Sequence, residues 1–120
     1  MKVLIVDDEV GLQVLLTKFL ESKGHEVFAV GTGDEAFRIV NCEQFDMIFS
    51  DVKMPGWNGV ESVKALYLVG KKPRFVMMSA YGLEEAKKEL CDYENVMGYV
   101  SKPFKLDVFV EFLDEATTSK

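Results

Sequence analysis

The chain has 120 residues, of which 48% are apolar and 28% charged, which is enough for one globular domain with a real core. Its formal net charge of −6 argues against nonspecific binding to the nucleic acid backbone. No apolar run approaches the roughly 20 residues of a membrane helix, and the start does not resemble a signal peptide. We therefore expect a single cytoplasmic domain over residues 1–120, with no membrane contact and no direct nucleic acid binding. Cys42 and Cys91 lack metal-ligand spacing and are expected to be free and buried.

Five apolar runs of strand type alternate with five segments that carry apolar residues at helical spacing. In chain order the predicted elements are strand 2–6, helix 12–20, strand 27–30, helix 34–41, strand 47–49, helix 60–67, strand 75–78, helix 83–90, strand 97–100 and helix 106–113. Gly24 and Gly70 stand where helices commonly stop, and Asp34 is a predicted N-cap. Residues 116–120 are predicted to form a frayed tail.

This alternation predicts a parallel β-sheet that is covered by helices on both faces, an α/β/α sandwich of three layers. Right-handed crossovers leave few topologies, and we expect the strand order 2-1-3-4-5. In that order the first and third strands are neighbours at the switch point. Ligands bind beyond the carboxyl ends of such strands, so the residues at those ends are the candidates for chemistry.

Polar residues suited to phosphoryl chemistry follow four of the strands. Asp7 and Asp8 follow the first strand, Asp51 the third, Ser79 the fourth and Lys102 the fifth. Neighbouring carboxylates repel one another unless a cation lies among them, and their hard oxygen atoms suit Mg²⁺. The expected direct ligands are Asp8 and Asp51, with Asp7 acting through water and a backbone carbonyl just after Asp51 completing the set.

Asp51 is the candidate nucleophile, because a carboxylate oxygen can attack phosphorus to give an acyl phosphate. The metal and Lys102 would neutralise charge on the transferring group, and the Ser79 hydroxyl would donate a hydrogen bond to it. Taken singly, Ser79 could be a turn residue and Lys102 a surface charge. Only their joint placement at successive strand ends makes the pattern specific.

The chain resembles the receiver domain of two-component response regulators over essentially its whole length. Four segments carry the resemblance: VDDE at 6–9, SDVKMPGWNG at 50–59, MSAYG at 78–82 and YVSKPF at 99–104. The resemblance implies a flavodoxin-like fold and Mg²⁺-dependent phosphorylation of Asp51 by a histidine kinase or histidine phosphotransferase. Such a domain is not an enzyme with an external substrate; it catalyses only its own phosphorylation and dephosphorylation. It is expected to be a monomer or weak dimer that signals to a downstream protein.

The resemblance also implies roles for individual residues. Asp7 and Asp8 match the acidic pair, and the backbone carbonyl of Lys53 matches a further metal ligand. Ser79 and Tyr99 match the two switch residues. Phosphorylation would draw the Ser79 hydroxyl toward the phosphoryl group, and the Tyr99 ring would turn into the vacated space, which shifts the population toward the signalling state.

Within the family, the chain most resembles the single-domain receiver of the sporulation phosphorelay. Gly11, Leu12, Pro103 and Phe104 would flank the pocket where receivers meet the histidine-bearing helices of their partners. The peptide bond before Pro103 is expected to be cis on the same ground. Glu9 departs from the pattern of that relative.

Lys53 and Tyr81 invite an inference about the lifetime of the phosphorylated form. Each lies two residues after a central group of the pocket, Asp51 and Ser79 respectively. Long side chains there would border the path of an attacking water and shield the acyl phosphate. We therefore predict slow loss of the phosphoryl group.

Two other classes of protein fit parts of the pattern. A phosphohydrolase of the haloacid dehalogenase type also forms an aspartyl phosphate, but it needs a second acid two residues after the nucleophile, where this chain has Lys53. A flavodoxin needs a hydroxyl- and glycine-rich phosphate loop after the first strand. The run 7–9, which is Asp-Asp-Glu, would repel a phosphate there.

Overall fold

The structure is a computed structural model that describes residues 1–54 and 56–118. Its sheet contains five strands: β1 (Lys2–Val6), β2 (Glu26–Val30), β3 (Met47–Asp51), β4 (Phe75–Ser79) and β5 (Val96–Ser101). Their order is β2-β1-β3-β4-β5, and every neighbouring pair is parallel. The predicted fold class and strand order are thus confirmed.

Five helices connect and cover the strands: α1 (Val10–Ser22), α2 (Gly33–Cys42), α3 (Gly59–Leu68), α4 (Leu83–Leu90) and α5 (Asp107–Thr118). Helices α1 and α5 pack on one face of the sheet, through the buried residues Leu16, Leu20, Phe109 and Leu113. Helices α2, α3 and α4 pack on the other face, through Ala36, Val40, Val63, Leu66 and Leu90. This arrangement is the expected three-layer sandwich.

The central strands are buried on both faces, which explains their nearly continuous apolar sequences. All five residues of β3 and all five of β4 are buried. Because successive side chains point to opposite faces, Ile48 joins the core under α2, α3 and α4, whereas Phe49 joins the core under α1 and α5. Polar residues enter these strands only toward their carboxyl ends, as Ser50 and Asp51 in β3 and as Ser79 in β4.

Two helix ends differ from the prediction. The N-cap of α2 is Thr32 rather than Asp34, because the extended backbone of Thr32 lets its hydroxyl accept a hydrogen bond from the Glu35 N–H at 3.2 Å. Helix α5 continues to Thr118, so the predicted fraying of residues 116–118 is wrong. Ala116 is buried in the core under α1 and α5, which holds this last turn in place. Residues 119 and 120 of the predicted tail lie outside the described residues.

The predicted burial of both cysteines is wrong. Cys42 and Cys91 are free but exposed, because Cys42 is the last residue of α2 and Cys91 directly follows α4, where the chain leaves the core. Among residues 1–54 and 56–118, no helix combines the length and the apolarity needed to cross a membrane.

Candidate functional site

Three aspartates meet at the carboxyl end of the sheet. Asp7 directly follows β1 and Asp51 ends β3, and these two strands are hydrogen-bonded neighbours. Carboxylate oxygens of Asp7, Asp8 and Asp51 lie within 4.8 Å of one another. Asp7 is fully buried and Asp51 is 6% exposed, whereas Asp8 is open to solvent. The predicted convergence of these acids is confirmed.

Lys102 places its ammonium group among the acids. Its Nζ atom lies 2.7 Å from Oδ2 of Asp7, 3.1 Å from Oδ2 of Asp51 and 3.5 Å from Oε1 of Glu9. The backbone N–H of Lys102 donates to the carbonyl of Ser79 at 2.9 Å, which continues the pairing of β4 with β5 up to the site. The next peptide bond, to Pro103, is cis as expected.

The charges of Asp51 and Lys102 depend on each other. Burial raises the pKa of the Asp51 carboxyl, and the hydrogen bond and charge of Lys102 oppose that rise without cancelling it. Burial lowers the pKa of the Lys102 ammonium, but its hydrogen bonds with Asp7 and Asp51 more than compensate, so the pKa is raised overall. The lysine therefore stays charged. Any further positive charge in the pocket would favour the ionised form of the Asp51 carboxyl, which is the form that acts as a nucleophile.

The donor set suits a hard divalent cation. Three carboxylates supply oxygen atoms close enough to share one ion, and the exposed Asp8 leaves a side open to water. Mg²⁺ prefers oxygen ligands and keeps several of its waters, so these residues fit it. The roles of Asp8 and Asp51 as direct ligands, of Asp7 through water and of the Lys53 carbonyl stay predictions.

A cleft of about 220 Å³ opens beside Asp51. Its lining includes Asp8, Glu9, Asp51, Lys53, Ser79, Ala80, Tyr81 and Lys102. Ser79 is 2% exposed, and its hydroxyl donates to the carbonyl of Tyr81 and accepts from the Tyr81 N–H at 3.3 Å. The hydroxyl thus lies in the cleft, engaged with the loop after β4. The acids, the lysine and the hydroxyl share one small, polar, partly enclosed space.

A family model described as the response regulator receiver domain matches residues 3–114. The chain belongs to this family. Membership favours a phosphoaccepting signalling domain over the phosphohydrolase and flavodoxin alternatives.

Individual relatives agree with this receiver assignment. Sporulation initiation phosphotransferase F of Bacillus subtilis is 33% identical over 109 residues, which cover 88% of this chain and 85% of that protein. Chemotaxis protein CheY4 of Vibrio cholerae superposes with a TM-score of 0.85 at 30% identity, covering 96% of this chain and 97% of that one. TrrA of Thermotoga maritima, solved in complex with Mg²⁺-BeF, gives 0.83 at 25% identity with coverage of 96% and 97%. Several further curated relatives are longer transcriptional regulators, and the matched region spans 24% to 43% of the length of those proteins.

Lys53 and Tyr81 both line the cleft of the receiver, and their shielding of the path of an attacking water stays a prediction. The N–H of Lys53 donates to Oδ1 of Asp51 at 3.2 Å, and its side chain runs across Gly82, the residue before α4. A Cβ atom on Gly82 would lie 3.0 Å from Cε of Lys53, and Gly82 has a φ of +86° that favours glycine. Tyr81, which also lines the cleft, is 72% exposed.

Tyr99 of the receiver lies apart from the cleft. It is half-buried on β5, and the Nζ atom of Lys87 on α4 lies 5.7 Å from the centroid of its ring. Burial raises the pKa of the Tyr99 hydroxyl. Its position links β5 to α4, and its role as a switch residue stays a prediction.

A second, apolar groove of about 460 Å³ adjoins the acidic pocket. It is lined by Glu9, Leu12, Leu15, Ala80, Lys102, Pro103 and Phe104. Three of the four predicted partner-contact residues, Leu12, Pro103 and Phe104, are in that lining. Gly11 does not line the groove, although it is exposed on α1 beside Leu12.

Three residues were missed as parts of the site. Glu9 is the third acid that contacts Lys102. Gly59 begins α3 so close to Asp51 that any Cβ atom there would clash with the Asp51 carbonyl. Gln13, which lies on α1, donates a hydrogen bond from its side-chain amide to the carbonyl of Asp7. Glu9 and Gly59 stand in the motifs that carry the resemblance, whereas Gln13 carries no local signal of its contact.

Proposed function

We propose that Asp51 of this receiver accepts a phosphoryl group from a histidine kinase or histidine phosphotransferase in a Mg²⁺-dependent reaction. The observation that carries the proposal is the shared contact of Lys102 with Asp7 and Asp51 at the mouth of a pocket of three carboxylates. TrrA, a receiver of similar fold, was solved in complex with Mg²⁺-BeF. We further propose that the domain itself catalyses this transfer and the later loss of the group.

Asp51, Lys102 and the residues that would hold Mg²⁺ have different roles in the phosphoryl transfer. A carboxylate oxygen of Asp51 forms a bond to phosphorus as the bond from phosphorus to the donor nitrogen breaks, and the departing histidine keeps the electron pair. Lys102, already 3.1 Å from Asp51, would pair with an oxygen of the incoming group. Bound Mg²⁺, held by Asp8, Asp51, the Lys53 carbonyl and, through water, Asp7, would neutralise charge on that group.

The switch would begin at Ser79. Its hydroxyl now bonds the Tyr81 backbone, and it would exchange that partner for a phosphoryl oxygen. Tyr99, which lies under Lys87, would then turn inward and alter the surface of α4 and β5. A downstream protein that prefers this second arrangement would be recruited, which is a shift between two populations.

The apolar groove beside the pocket would receive the histidine-bearing helix of the phosphoryl donor. Leu12, Pro103 and Phe104 would contact that helix, with Gly11 allowing close approach on α1. Amphipathic helices are commonly bound with their apolar face in a hydrophobic groove, and this groove adjoins the charged pocket at Glu9 and Lys102. Exposed large apolar side chains elsewhere in residues 1–54 and 56–118 are scattered over several elements, so we propose a monomer or weak dimer.

Lys53 and Tyr81 would prolong the phosphorylated state. They border the cleft next to Asp51, where a water must approach in line to release the group. Excluding that water slows hydrolysis of the acyl phosphate. We also place the domain in the cytoplasm, since two exposed free cysteines suit a reducing compartment.

Intact-mass measurement after treatment with acetyl phosphate and Mg²⁺ tests the proposal. The wild type should gain one phosphoryl group, and Asp51→Asn should gain none. Asp92→Asn, a matched change at an exposed site far along the chain, should behave as the wild type. Omission of Mg²⁺ should abolish the gain, and an added group that persists in Asp51→Asn would refute the assignment.

A further inference from the structure

Gln13 joins α1 to the acidic pocket by two hydrogen bonds. Its Nε2 atom donates to the carbonyl of Asp7 at 2.5 Å and to the carbonyl of Val30 at 3.1 Å. Both partners can only accept, so both amide protons of Gln13 are used and the amide has a single sensible orientation. The same Val30 carbonyl also accepts from the Asp7 N–H at 3.1 Å. One side chain therefore ties together the ends of β1 and β2.

The hydrogen bond from Gln13 to the Asp7 carbonyl also constrains the backbone of Asp8. That carbonyl belongs to the planar peptide group that links Asp7 to Asp8, so holding it sets the plane from which the Asp8 side chain departs. The carboxylate of Asp7 is secured independently, by the Glu9 N–H at 2.9 Å and by Lys102 at 2.7 Å. Gln13 is thus not needed to aim the carboxylate of Asp7.

Asp8 depends on its backbone for its direction. It is exposed, and within the described residues its carboxylate has no hydrogen bond or ion pair. Asp51, in contrast, is bonded by Lys53 and Lys102. Of the three acids that would share one ion, only Asp8 lacks a side-chain anchor. Its direction therefore depends on the two peptide groups beside it: Gln13 holds the one before it, and the Asp7 carboxylate holds the one after it through the Glu9 N–H.

We propose that Gln13 is a positioning residue for the Mg²⁺ site, which holds the peptide group between Asp7 and Asp8 so that the Asp8 carboxylate faces Asp51. The inference rests on the proposed Mg²⁺ binding and adds to it a residue outside the pocket. A purely structural role for Gln13, as a tie between α1 and the sheet, would change the stability of the protein and leave the metal affinity of the native fraction unaltered.

Two substitutions separate these roles. Gln13→Met keeps the length of the side chain without its donors, and Gln13→Glu places acceptors opposite two carbonyls. We expect both to weaken Mg²⁺ binding by about tenfold, the lower end of the effect of losing groups that orient metal ligands. The added charge of Gln13→Glu would by itself strengthen cation binding. A weaker affinity in that variant therefore cannot come from simple electrostatics.

The experiment is a Mg²⁺ titration followed by the amide resonances of the pocket, at a temperature where melting curves show each variant to be native. Gln44→Glu is the matched control, because it makes the same charge change at an exposed residue and should bind Mg²⁺ within about twofold of the wild type. A second measurement needs no metal: both side-chain amide protons of Gln13 should exchange with solvent much more slowly than those of Gln44.

The outcomes distinguish this inference from the function on which it rests. If the wild type binds no Mg²⁺, the proposed metal function fails. If the wild type binds Mg²⁺ and Gln13→Glu binds it equally well or better, the positioning role fails alone. Where one Gln13 variant does not fold, the Mg²⁺ affinity of the other decides, and amide protons of Gln13 that exchange as fast as those of Gln44 overturn the proposal in either case.

Discussion

The ammonium of Lys102 lies 2.7 Å from a carboxylate oxygen of Asp7, although the two residues are 95 positions apart in the chain. The lysine follows β5 and the aspartate follows β1, with β3 and β4 between these strands. The lysine side chain thus reaches a fully buried acid that follows a strand which is not a neighbour of its own. This contact unites residues from opposite ends of the sequence into one site and supplies positive charge where three carboxylates meet.

Removal of that positive charge should destabilise the metal-free protein. We expect Lys102→Met to lower the free energy of unfolding in EDTA by about 1–3 kcal/mol, because buried acids lose a charged hydrogen-bond partner. Saturating Mg²⁺ should recover part of this loss. Urea denaturation with and without Mg²⁺ measures both effects. Lys64→Met is the control, because its pair with Glu89 at 2.9 Å lies at the solvent-exposed surface and should contribute much less to stability. Equal losses in the two variants would show that the Lys102 contacts are weak.

The lifetime of the phosphorylated form should depend on Lys53 and Tyr81, which line the cleft. The double variant Lys53→Asn with Tyr81→Ala opens the cleft to water, and we expect the phosphoryl group to be lost about tenfold faster, equivalent to ~1.4 kcal/mol of barrier. The rate of phosphoryl loss in Mg²⁺ buffer is followed by mass. Lys105→Asn, an exposed lysine outside the cleft, should leave the rate unchanged. An unchanged rate in the double variant would exclude shielding.

The apolar groove should matter for protein donors and not for small ones. Leu15 lines the groove and is 50% exposed, so Leu15→Lys should leave the fold intact. We expect phosphoryl transfer from a histidine phosphotransferase active on the wild type to slow by about tenfold or more, as for a central interface residue. Phosphorylation by acetyl phosphate should be unaffected. Leu68→Lys, at a site 86% exposed on α3, is the control. A similar slowing in both variants would argue against docking at the groove.

Gly59 should tolerate no side chain. A Cβ atom there would clash with the carbonyl of Asp51 and lie 2.8 Å from Cε of Met77. Gly59→Ala should therefore lower stability by about 1–3 kcal/mol, as overpacking does, and slow phosphorylation by displacing Asp51. Gly11→Ala is a matched change within α1 with no atom near the added carbon, and it should raise stability by up to about 1 kcal/mol. Thermal melting compares them, and a neutral Gly59→Ala would contradict the close contact.

His25 should reduce stability in mild acid. Its pKa is lowered from 6.5 by burial and by the N-terminal ammonium, whose nitrogen lies 3.1 Å from Nδ1, while Asp114 opposes the shift. Below pH 6.5 the unfolded chain binds a proton that the folded chain accepts only at lower pH. The free energy of unfolding should then fall as the pH drops from 6.5 toward the lower pKa of the folded state. Above pH 6.5 the imidazole is neutral in both states and should cause no loss of stability. An NMR titration of the imidazole checks the pKa.

A variant without the imidazole provides the control for that pH dependence. His25→Gln should remove the part of the fall that begins near pH 6.5, and the difference in unfolding free energy between the two proteins should grow with decreasing pH. A measured pKa of His25 at or above its ordinary value would contradict the effect of burial.

Much of the site could be predicted because its residues are tied to the ends of strands. The runs that end in Asp7, Asp51 and Ser79 are apolar because both faces of the sheet are covered, and parallel strands end at a common edge. Sequence order therefore already implied which polar residues would meet. The N-cap of α2 was misplaced from Thr32 to Asp34, since neighbouring residues of similar capping ability are separated only by backbone geometry.

Sequence alone determined the alternation of strands and helices and the identity of the acids, because these follow from periodicity and from the polar residues at strand ends. The strand order was expected as one of the few topologies that right-handed crossovers leave. Only the tertiary structure decided that Gln13 reaches the Asp7 carbonyl, that Glu9 joins the ion pairs of Lys102 and that the cysteines lie at the surface. The exposure of the cysteines depends on where each helix leaves the core, whereas the contacts of Gln13 and Glu9 depend on how far a side chain extends across the space between packed elements. That distance is set by the packing of the whole domain, and no local pattern of residues encodes it.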